Sequence, residues 1–247
     1  MKGFITKQCP VCRNIRPELM QWVESVGEVQ RIMCKGCDTI YFDREPPTKP
    51  IYDMKYNLNF FRPGDIRKAG IMAAKLAELL SDKWKSPNIL EAGSGNGLTV
   101  LLLRAMGLNA FGIDLDPALS VYLMERFKIN IITVKFEEFN PPGKYHLIYS
   151  SHVIEHCEKP LEFIKKAADL LVEDGILYLD TPDTYYHDKQ GKRWHHFETR
   201  DPYEHCCLLG QVGIRILAND TGLYLKKIER YDDFMSMQAI LTKPPKN

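Results

Sequence analysis

The sequence has almost no net charge and no long apolar run, and each absence excludes a class of function. Its 33 lysines and arginines nearly balance its 32 aspartates and glutamates, which leaves a formal charge of +1 over 247 residues. This balance provides no overall attraction to nucleic acid or to an anionic membrane. No stretch approaches the roughly 20 apolar residues that span a bilayer, and the N-terminal MKGFITKQCPVC lacks the apolar core of a signal peptide. We therefore expect a cytosolic protein without a membrane partner.

The seven cysteines do not suit a disulfide framework, because their number is odd and a reducing compartment is expected. Four of them instead form two Cys-x-x-Cys hooks, CPVC at 9–12 and CKGC at 34–37, which are separated by 21 residues. Four thiolates at tetrahedral corners suit a structural Zn²⁺ with no open coordination position. The predicted ligands are Cys9, Cys12, Cys34 and Cys37. Iron held by the same ligands, and free or redox-active thiols, are the alternatives.

The N-terminal segment has too few large apolar residues to hold a core without such a metal. Strands are predicted in it over 26–33 and 39–44. The following REPPTKPIYD contains three prolines and no periodicity, which is typical of a linker. We predict a zinc-ribbon-like module over 1–48, a linker over 49–61 and a main domain over 62–247.

In the main domain, strand-like and helix-like segments alternate, which predicts an α/β fold with a parallel, doubly wound sheet. The last two predicted strands lie too close together for a crossover helix, so we expect an antiparallel hairpin at one end of the sheet. Helices are predicted over 62–84, 98–107, 117–127, 160–175 and 207–222. Strands are predicted over 88–93, 109–116, 130–136, 145–153, 175–183, 223–233 and 234–243.

A glycine-rich turn, LEAGSGNGLTV at 90–100, follows the first of these strands. Gly93, Gly95 and Gly97 let the backbone approach a ligand closely, and ligands of open α/β sheets bind at the carboxyl ends of strands. The dinucleotide fingerprint needs a glycine at residue 98, which is Leu. The carboxylate of Glu91 would repel a phosphate and attract a cation. The turn therefore favours S-adenosylmethionine, which carries an ammonium and a sulfonium and no phosphate.

Two later strand ends supply further contacts for such a cofactor. Asp114 closes the second strand, where a carboxylate can accept hydrogen bonds from both ribose hydroxyls. Phe136 and Glu137 follow the third strand, where the adenine is expected. The full set of candidate cofactor residues is Glu91, Gly93, Ser94, Gly95, Asn96, Gly97, Asp114, Leu115, Phe136, Glu137 and Ser150.

The motifs ILEAGSGNG, GIDLD, YHLIYSSHVIEHCEKP and LLVEDGILYLDTPD resemble, in order and spacing, those of class I S-adenosylmethionine-dependent methyltransferases. The resemblance covers about 56–243 and is strongest to the subgroup with Glu-His after strand four. It implies a Rossmann-like sheet of seven strands, the last antiparallel, with helices on both faces. It also implies cofactor contacts at Glu91, Gly93, Gly95, Asp114 and Glu137. Asp174 departs from the family, which usually has glycine there.

Histidines are the candidate bases for a transfer to oxygen, because an imidazole titrates near neutral pH. His152 and His156 follow the fourth strand, and His205 lies beyond a long segment that we expect to cover the strand ends. We predict that His152 or His205 removes the proton from a sugar or other small-molecule hydroxyl. The candidate catalytic residues are His152, His156 and His205.

Other readings of the same residues stay open at this point. HVIEH looks like the Glu-x-x-Glu-His set of methyltransferases that act on the terminal ribose of small RNA, which would place a divalent ion on His152, Glu155, His156 and either His195 or His196. A nucleic-acid methyltransferase, in which the N-terminal module holds the RNA or DNA, is a separate alternative. A non-catalytic cofactor-binding protein is a further alternative. Glu155 and His156 could also only hydrogen-bond the loop backbone. The oligomeric state stays open.

Overall fold

The strands form two sheets in a computed structural model that describes residues 8–26, 28–45, 62–81, 83–187, 203–232 and 235–245. The α-helices are α1 (Pro63–Ser81), α2 (Leu98–Ala105), α3 (Pro117–Phe127), α4 (Pro160–Leu170) and α5 (Gln211–Asp220). The strands are β1 (Met20–Val26), β2 (Val29–Cys34), β3 (Thr39–Phe42), β4 (Asn88–Ala92), β5 (Asn109–Asp114), β6 (Ile131–Thr133), β7 (Tyr145–Ser151), β8 (Leu171–Pro182), β9 (Cys207–Leu208), β10 (Tyr224–Tyr231) and β11 (Ser236–Thr242). Within these residues, no helix is both long and apolar enough to cross a bilayer.

The larger sheet has seven strands in the order β10-β11-β8-β7-β4-β5-β6. β4 runs parallel to both β5 and β7, and β5 runs parallel to β6. Its central strands are continuous apolar runs, with Ile89, Leu90, Leu147 and Ile148 all fully buried. Such runs are typical of a parallel strand that is covered on both faces.

The strand order reverses between β4 and β7. The chain runs from β4 outward through β5 to β6, then returns to the other side of β4 as β7 and continues to β8. Because crossovers are right-handed, α2 and α3 cover one face of the sheet and α4 the other. A reversal of this kind opens a crevice at the carboxyl ends of the two central strands, where ligands of open α/β sheets bind.

β11 is antiparallel to its neighbour β8, as predicted. The amide of Asp174 donates to the Lys243 carbonyl, and the amide of Lys243 donates to the Gly175 carbonyl, each at 3.0 Å. The start of β8 therefore lies beside the end of β11. β10 and β11 form the predicted pair at one end of the sheet.

The smaller sheet has the order β1-β2-β3-β9. Its first three strands are antiparallel neighbours in the N-terminal segment, and a bulge between Trp22 and Glu24 interrupts the first pairing. β9 joins from far along the chain, with Ile40 opposite Leu208. The N-terminal sheet is therefore completed by a later segment.

Two compact units are present, and each is assembled from several segments. One contains Met1–Pro50, His152–Lys165 and Leu179–Leu241, and the other contains Ile51–Ser151, Lys166–Tyr178 and Thr242–Asn247. The predicted module (1–48) shares its unit with later parts of the chain. The predicted linker (49–61) lies outside the described residues, so the proposed domain boundaries stay a prediction.

The structure corrects two helix predictions. The helix predicted over 160–175 ends at Leu170, because residues from Leu171 onward join β8. The helix predicted over 207–222 begins only at Gln211, because Cys207 and Leu208 pair with β3 instead. In both cases an apolar segment that also fits a helix forms a strand instead, because it pairs with a strand distant in sequence.

Two predictions for the N-terminal strands also need correction. β1 was not predicted, because Met20–Val26 shows no clear alternation of polar and apolar residues. The strand predicted over 26–33 starts at Val29, and the turn that precedes it includes Glu28.

Lys128 is a position where glycine should stabilise the protein. It ends α3 in a left-handed conformation with φ 56° and ψ 30°, which costs a residue with a Cβ about 1 kcal/mol relative to glycine. We expect Lys128→Gly to raise the free energy of unfolding by about 0.5–1 kcal/mol. Glu125→Gly, inside the same helix, is the matched control and should lower it by about 1 kcal/mol. Urea denaturation measures both, and a destabilised Lys128→Gly would contradict the assignment.

Candidate functional site

The glycine turn between β4 and α2 needs its glycines for conformational reasons. Gly93, Gly95 and Gly97 have φ values of 74°, 47° and 67°, in a region that side chains with a Cβ rarely adopt. The amides of Gly93 and Ser94 both donate to the Ile113 carbonyl at 2.9 Å. The turn is therefore held against the end of β5 with its backbone close to the crevice.

Gly112 in β5 makes room for this turn. A Cβ at this position would lie 2.5 Å from Cδ1 of Ile131 and 2.8 Å from Oγ of Ser94. Ser94 is buried, and its hydroxyl donates to the Ile113 carbonyl at 3.2 Å. The side chain of Asn96 accepts from the Leu98 amide at 3.1 Å and so helps to start α2.

Asp114 is fixed by three backbone amides at the end of β5. One carboxylate oxygen accepts from Gly95 at 2.8 Å, and the other accepts from Leu115 at 2.8 Å and from Asp116 at 3.1 Å. Its side chain is only partly buried, and each oxygen keeps lone pairs for further donors. Leu115 beside it is 56% exposed. This geometry suits the ribose contact predicted for Asp114.

Glu91 is a buried carboxylate inside β4. Burial raises its pKa to about 8, although hydrogen bonds from the Thr99 hydroxyl and the Val100 amide oppose this shift. Its Oε2 is buried and has no hydrogen-bond partner among the residues that the structure describes. An acceptor of this kind is stabilised by a donor or a positive charge that a ligand brings. The residues present therefore fit the cationic cofactor that the sequence predicts.

The remaining cofactor candidates lie at neighbouring strand ends. Phe136 is buried and Glu137 is half-buried in a short 3₁₀ turn, Phe136–Glu138, after β6. Ser150 is buried at the end of β7, and its hydroxyl donates to the Ala92 carbonyl at 3.1 Å. That bond joins the carboxyl ends of the two strands at which the sheet order reverses.

The four hook cysteines come together as predicted. Sγ of Cys9 lies 3.5 Å from Sγ of Cys37, and the sulfurs of Cys12 and Cys34 are also 3.5 Å apart. All four sulfurs lie within 4.8 Å of one another, and none is in a disulfide. Two hooks that are distant in sequence thus form one sulfur cluster.

A second group of polar residues surrounds the buried carboxylate of Glu155. Nδ1 of His152 lies 3.1 Å from Oε1 of Glu155, and the Thr181 hydroxyl donates to Oε2 at 2.9 Å. Glu155 is fully buried, whereas the His152 side chain is 42% exposed. Burial alone would raise the pKa of Glu155, but the hydrogen bond from His152 and the charges of His152, His156 and His205 lower it to about 2. Glu155 is therefore anionic at neutral pH, and Nδ1 of His152 is the donor.

His152 has a strained backbone, with φ 53° at a residue that has a Cβ. Its amide donates to the Asp180 carbonyl at 2.8 Å, which holds this conformation. A strained backbone conformation of this kind persists only where surrounding contacts hold it in place, and such conformations are common at functional sites. Neither Thr181 nor Asp180 was predicted as part of the site, because a threonine and an aspartate at a strand end carry no specific signal.

His156 and His205 lie next to each other beside Glu155. Their ring centroids are 4.9 Å apart, and Nδ1 of His156 donates to the Glu204 carbonyl at 2.8 Å. Burial lowers the pKa of His156. We refer to His152, Glu155, His156 and His205 as the histidine cluster. His195 and His196, which the metal hypothesis invoked, lie outside the described residues.

The sequence matches a known family over most of its main domain. The family is described as "Methyltransferase domain", and the match covers residues 65–228. A ubiquinone biosynthesis O-methyltransferase of Rickettsia bellii is 30% identical over 98 residues, which are 38% of this chain and 41% of that protein. Malonyl-[acyl-carrier protein] O-methyltransferase 1 of Ilyobacter polytropus is 25% identical over 182 residues, 66% of each chain. The chain thus spans less than half of the first relative's length.

Solved structures share the fold at low sequence identity. Magnesium protoporphyrin IX methyltransferase of Synechocystis PCC 6803 with bound S-adenosylhomocysteine has a TM-score of 0.58 at 15% identity, over 79% of this chain and 90% of that one. An N-methyltransferase of Bradyrhizobium japonicum WM9 has a TM-score of 0.53 at 19% identity, over 74% of this chain and 89% of that one. Because the family match covers more than half of the 247 residues, the chain belongs to the methyltransferase domain family.

Proposed function

We propose that the protein transfers the methyl group of S-adenosylmethionine to a hydroxyl of a small molecule, with His152 as the general base. The hydrogen bond of 3.1 Å between Nδ1 of His152 and the anionic Glu155 carries the proposal. It places the proton on Nδ1 and leaves the basic lone pair on Nε2. A carboxylate that orients an imidazole in this way also stabilises the imidazolium that forms.

The cofactor is assigned to the turn and strand ends of the β4–β7 crevice. The backbone of Gly93–Gly97 would lie against the methionine part, and Glu91 would face its positive charge. Asp114 would accept from the ribose hydroxyls, and Leu115, Phe136 and Glu137 would surround the adenine. Oε2 of Glu91, which has no hydrogen-bond partner in the described part of the chain, and the exposed side chain of Leu115 support this arrangement.

The reaction is an in-line displacement in which the protein supplies alignment and proton removal. The acceptor oxygen forms a bond to the methyl carbon while the carbon–sulfur bond breaks. Its electron pair goes to sulfur and gives S-adenosylhomocysteine, and the hydroxyl proton goes to Nε2 of His152. His152 follows the last residue of β7 directly in the chain, and β7 borders the crevice.

A small-molecule acceptor is favoured by two relatives whose names describe O-methyltransferases of small or carrier-bound acceptors. A sugar is the narrower prediction. His205 is the weaker candidate base, because its ring lies beside His156. The nucleic-acid acceptor, the non-catalytic alternative and the cytosolic location stay untested predictions.

Transfer of label from [methyl-³H]-S-adenosylmethionine tests the function. The acceptors are a panel of sugars and phenols, with an RNA oligonucleotide and an amine as competing classes. We expect labelled, base-stable O-methyl ethers from the small hydroxyl compounds. Labelling of RNA or amine alone, at every protein concentration, would contradict the proposal.

His152→Gln tests the base. We expect kcat to fall by about 100-fold or more, the usual contribution of a general base, while the Kd for S-adenosylhomocysteine is unchanged. His187→Gln, a histidine outside the histidine cluster, is the control and should keep the unmodified rate. A kcat for His152→Gln close to that of the control would exclude His152 as the base.

We expect the carboxyl group of Glu91 to release a proton when the cofactor binds. With a pKa of about 8 in the free site, Glu91 is protonated at pH 6.5, and the positive charge of the cofactor favours its ionised form. Affinity for S-adenosylmethionine should therefore rise with pH up to about pH 8 and then level off. Calorimetry at pH 6.5 in two buffers of different ionisation enthalpy counts the released protons. Glu91→Gln should lose this release and Glu137→Gln should keep it, whereas equal release in both variants would contradict the role.

A structural zinc ion is proposed at the four hook cysteines. Zinc–sulfur bonds of about 2.3 Å place tetrahedral sulfurs about 3.8 Å apart, close to the two separations of 3.5 Å. Cys34 closes β2, so the second hook begins where this strand of the N-terminal sheet ends. The ion would thus add to the stability of the core that this segment forms with later parts of the chain.

Cys34→Ser tests the zinc site. The variant should lose the hook-bound metal and the thiolate-to-cobalt charge-transfer band of the Co²⁺-substituted protein, and its thermal unfolding midpoint should fall. Cys157→Ser, a cysteine outside the hooks, should retain both the metal and the band. Elemental analysis distinguishes zinc from iron. Full retention of metal by Cys34→Ser would overturn the assignment.

A further inference from the structure

We propose that Glu155, His156 and His205 form a second metal site, which binds a divalent transition-metal ion and receives the acceptor hydroxyl. One potential ligand atom from each of these residues lies within 4.8 Å of the others. The inference deepens the proposed function and rests on it for the identity of the acceptor group. It differs from the set predicted from sequence, because His205 takes part and His152 lies outside the ligands.

Two copies of the tripeptide Glu-His-Cys meet at this place. The first is 155–157, after β7, and the second is 204–206, before β9. Nδ1 of His156 donates to the carbonyl of Glu204, and Sγ of Cys206 lies 3.7 Å from the carbonyl of Glu155. Each copy is therefore hydrogen-bonded to the other, and both imidazoles lie near the Glu155 carboxylate.

The hydrogen bonds of His156 and Glu155 are those that a metal site needs. A ligating histidine usually donates its other ring N–H to a carbonyl or carboxylate, as Nδ1 of His156 does to Glu204. That bond leaves the lone pair on Nε2. Ligating carboxylates are themselves hydrogen-bonded, and Glu155 accepts from His152 and Thr181. His152 thus orients the carboxylate through Nδ1. Its Nε2 would still accept the proton of the acceptor hydroxyl when an ion is bound to Glu155.

Two imidazoles and one carboxylate suit zinc, iron or manganese, and three protein ligands leave coordination positions open. The open position would take the acceptor oxygen. An ion there lowers the pKa of the bound hydroxyl, and the proton then passes to Nε2 of His152. An acceptor with a second oxygen next to the reacting hydroxyl, as in a catechol or a vicinal diol, could occupy two positions. The acceptor class inferred from this site is therefore an oxygen chelator.

The test is the binding of Co²⁺ to the full chain whose hook cysteines already hold zinc. Calorimetry should detect one additional ion per chain, and the visible spectrum of that ion should lack a thiolate charge-transfer band. His156→Gln and His205→Gln should each weaken its binding by about 10-fold or more. His187→Gln is the matched control and should bind the ion like the unmodified chain.

A second measurement uses the unmodified chain and so does not depend on how the variants fold. Paramagnetic Co²⁺ should shift the imidazole NMR signals of His156 and His205 before those of His146 and His187. Absence of a second bound ion, or shifts that spare His156 and His205, would overturn the site. Both readouts are independent of methyl transfer. Co²⁺ binding without transfer to any hydroxyl would refute the proposed function alone, and transfer without a second ion would refute only the metal site.

Discussion

The hydrogen bonds to the buried carboxylate of Glu155 are the interactions on which the arrangement of the histidine cluster depends. A fully buried anion is costly unless it is paired and hydrogen-bonded. Here His152 and Thr181 satisfy its two oxygens, and His156 and His205 lie close enough to stabilise its charge. The same contacts tie the segment after β7 to the end of β8 and to the residues before β9.

Two buried carboxylates of this chain have opposite surroundings. Burial raises the pKa of Glu91 to about 8, and the charge of Asp114 adds to this shift. Glu155 is surrounded by imidazoles, and its pKa falls to about 2. Two titratable groups whose environments shift their pKa values in opposite directions usually have different functions. The carboxylate of Glu91 suits a ligand that brings a positive charge. The carboxylate of Glu155 is permanently anionic, which suits the orientation of a base or the binding of an ion.

Much of the fold and of the cofactor turn could be predicted, because their signals are local. The alternation of apolar strands and amphipathic helices predicted the parallel sheet, and the spacing of Gly93, Gly95 and Gly97 predicted a turn that only glycines adopt easily. The strands β1 and β9 and the true start of α5 escaped prediction. Cys207 and Leu208 are apolar residues that suit a helix equally well, and only their pairing with β3 decides their conformation.

The sequence by itself determined which chemical groups are present and, through short-range spacing, which of them turn toward a common point. The geometry of each single Cys-x-x-Cys hook, the glycine turn and the placement of Asp114 at a strand end follow from neighbours within a few residues. Only the tertiary structure decided that His205 lies beside His156 and Glu155, and that the Thr181 hydroxyl donates a hydrogen bond to the Glu155 carboxylate. The Thr181 contact with Glu155 spans 26 residues, and the Cys206 contact that holds the segment of His205 to Glu155 spans 51. No local pattern encodes such contacts, because the position of one segment beside another depends on how the strands between them pair.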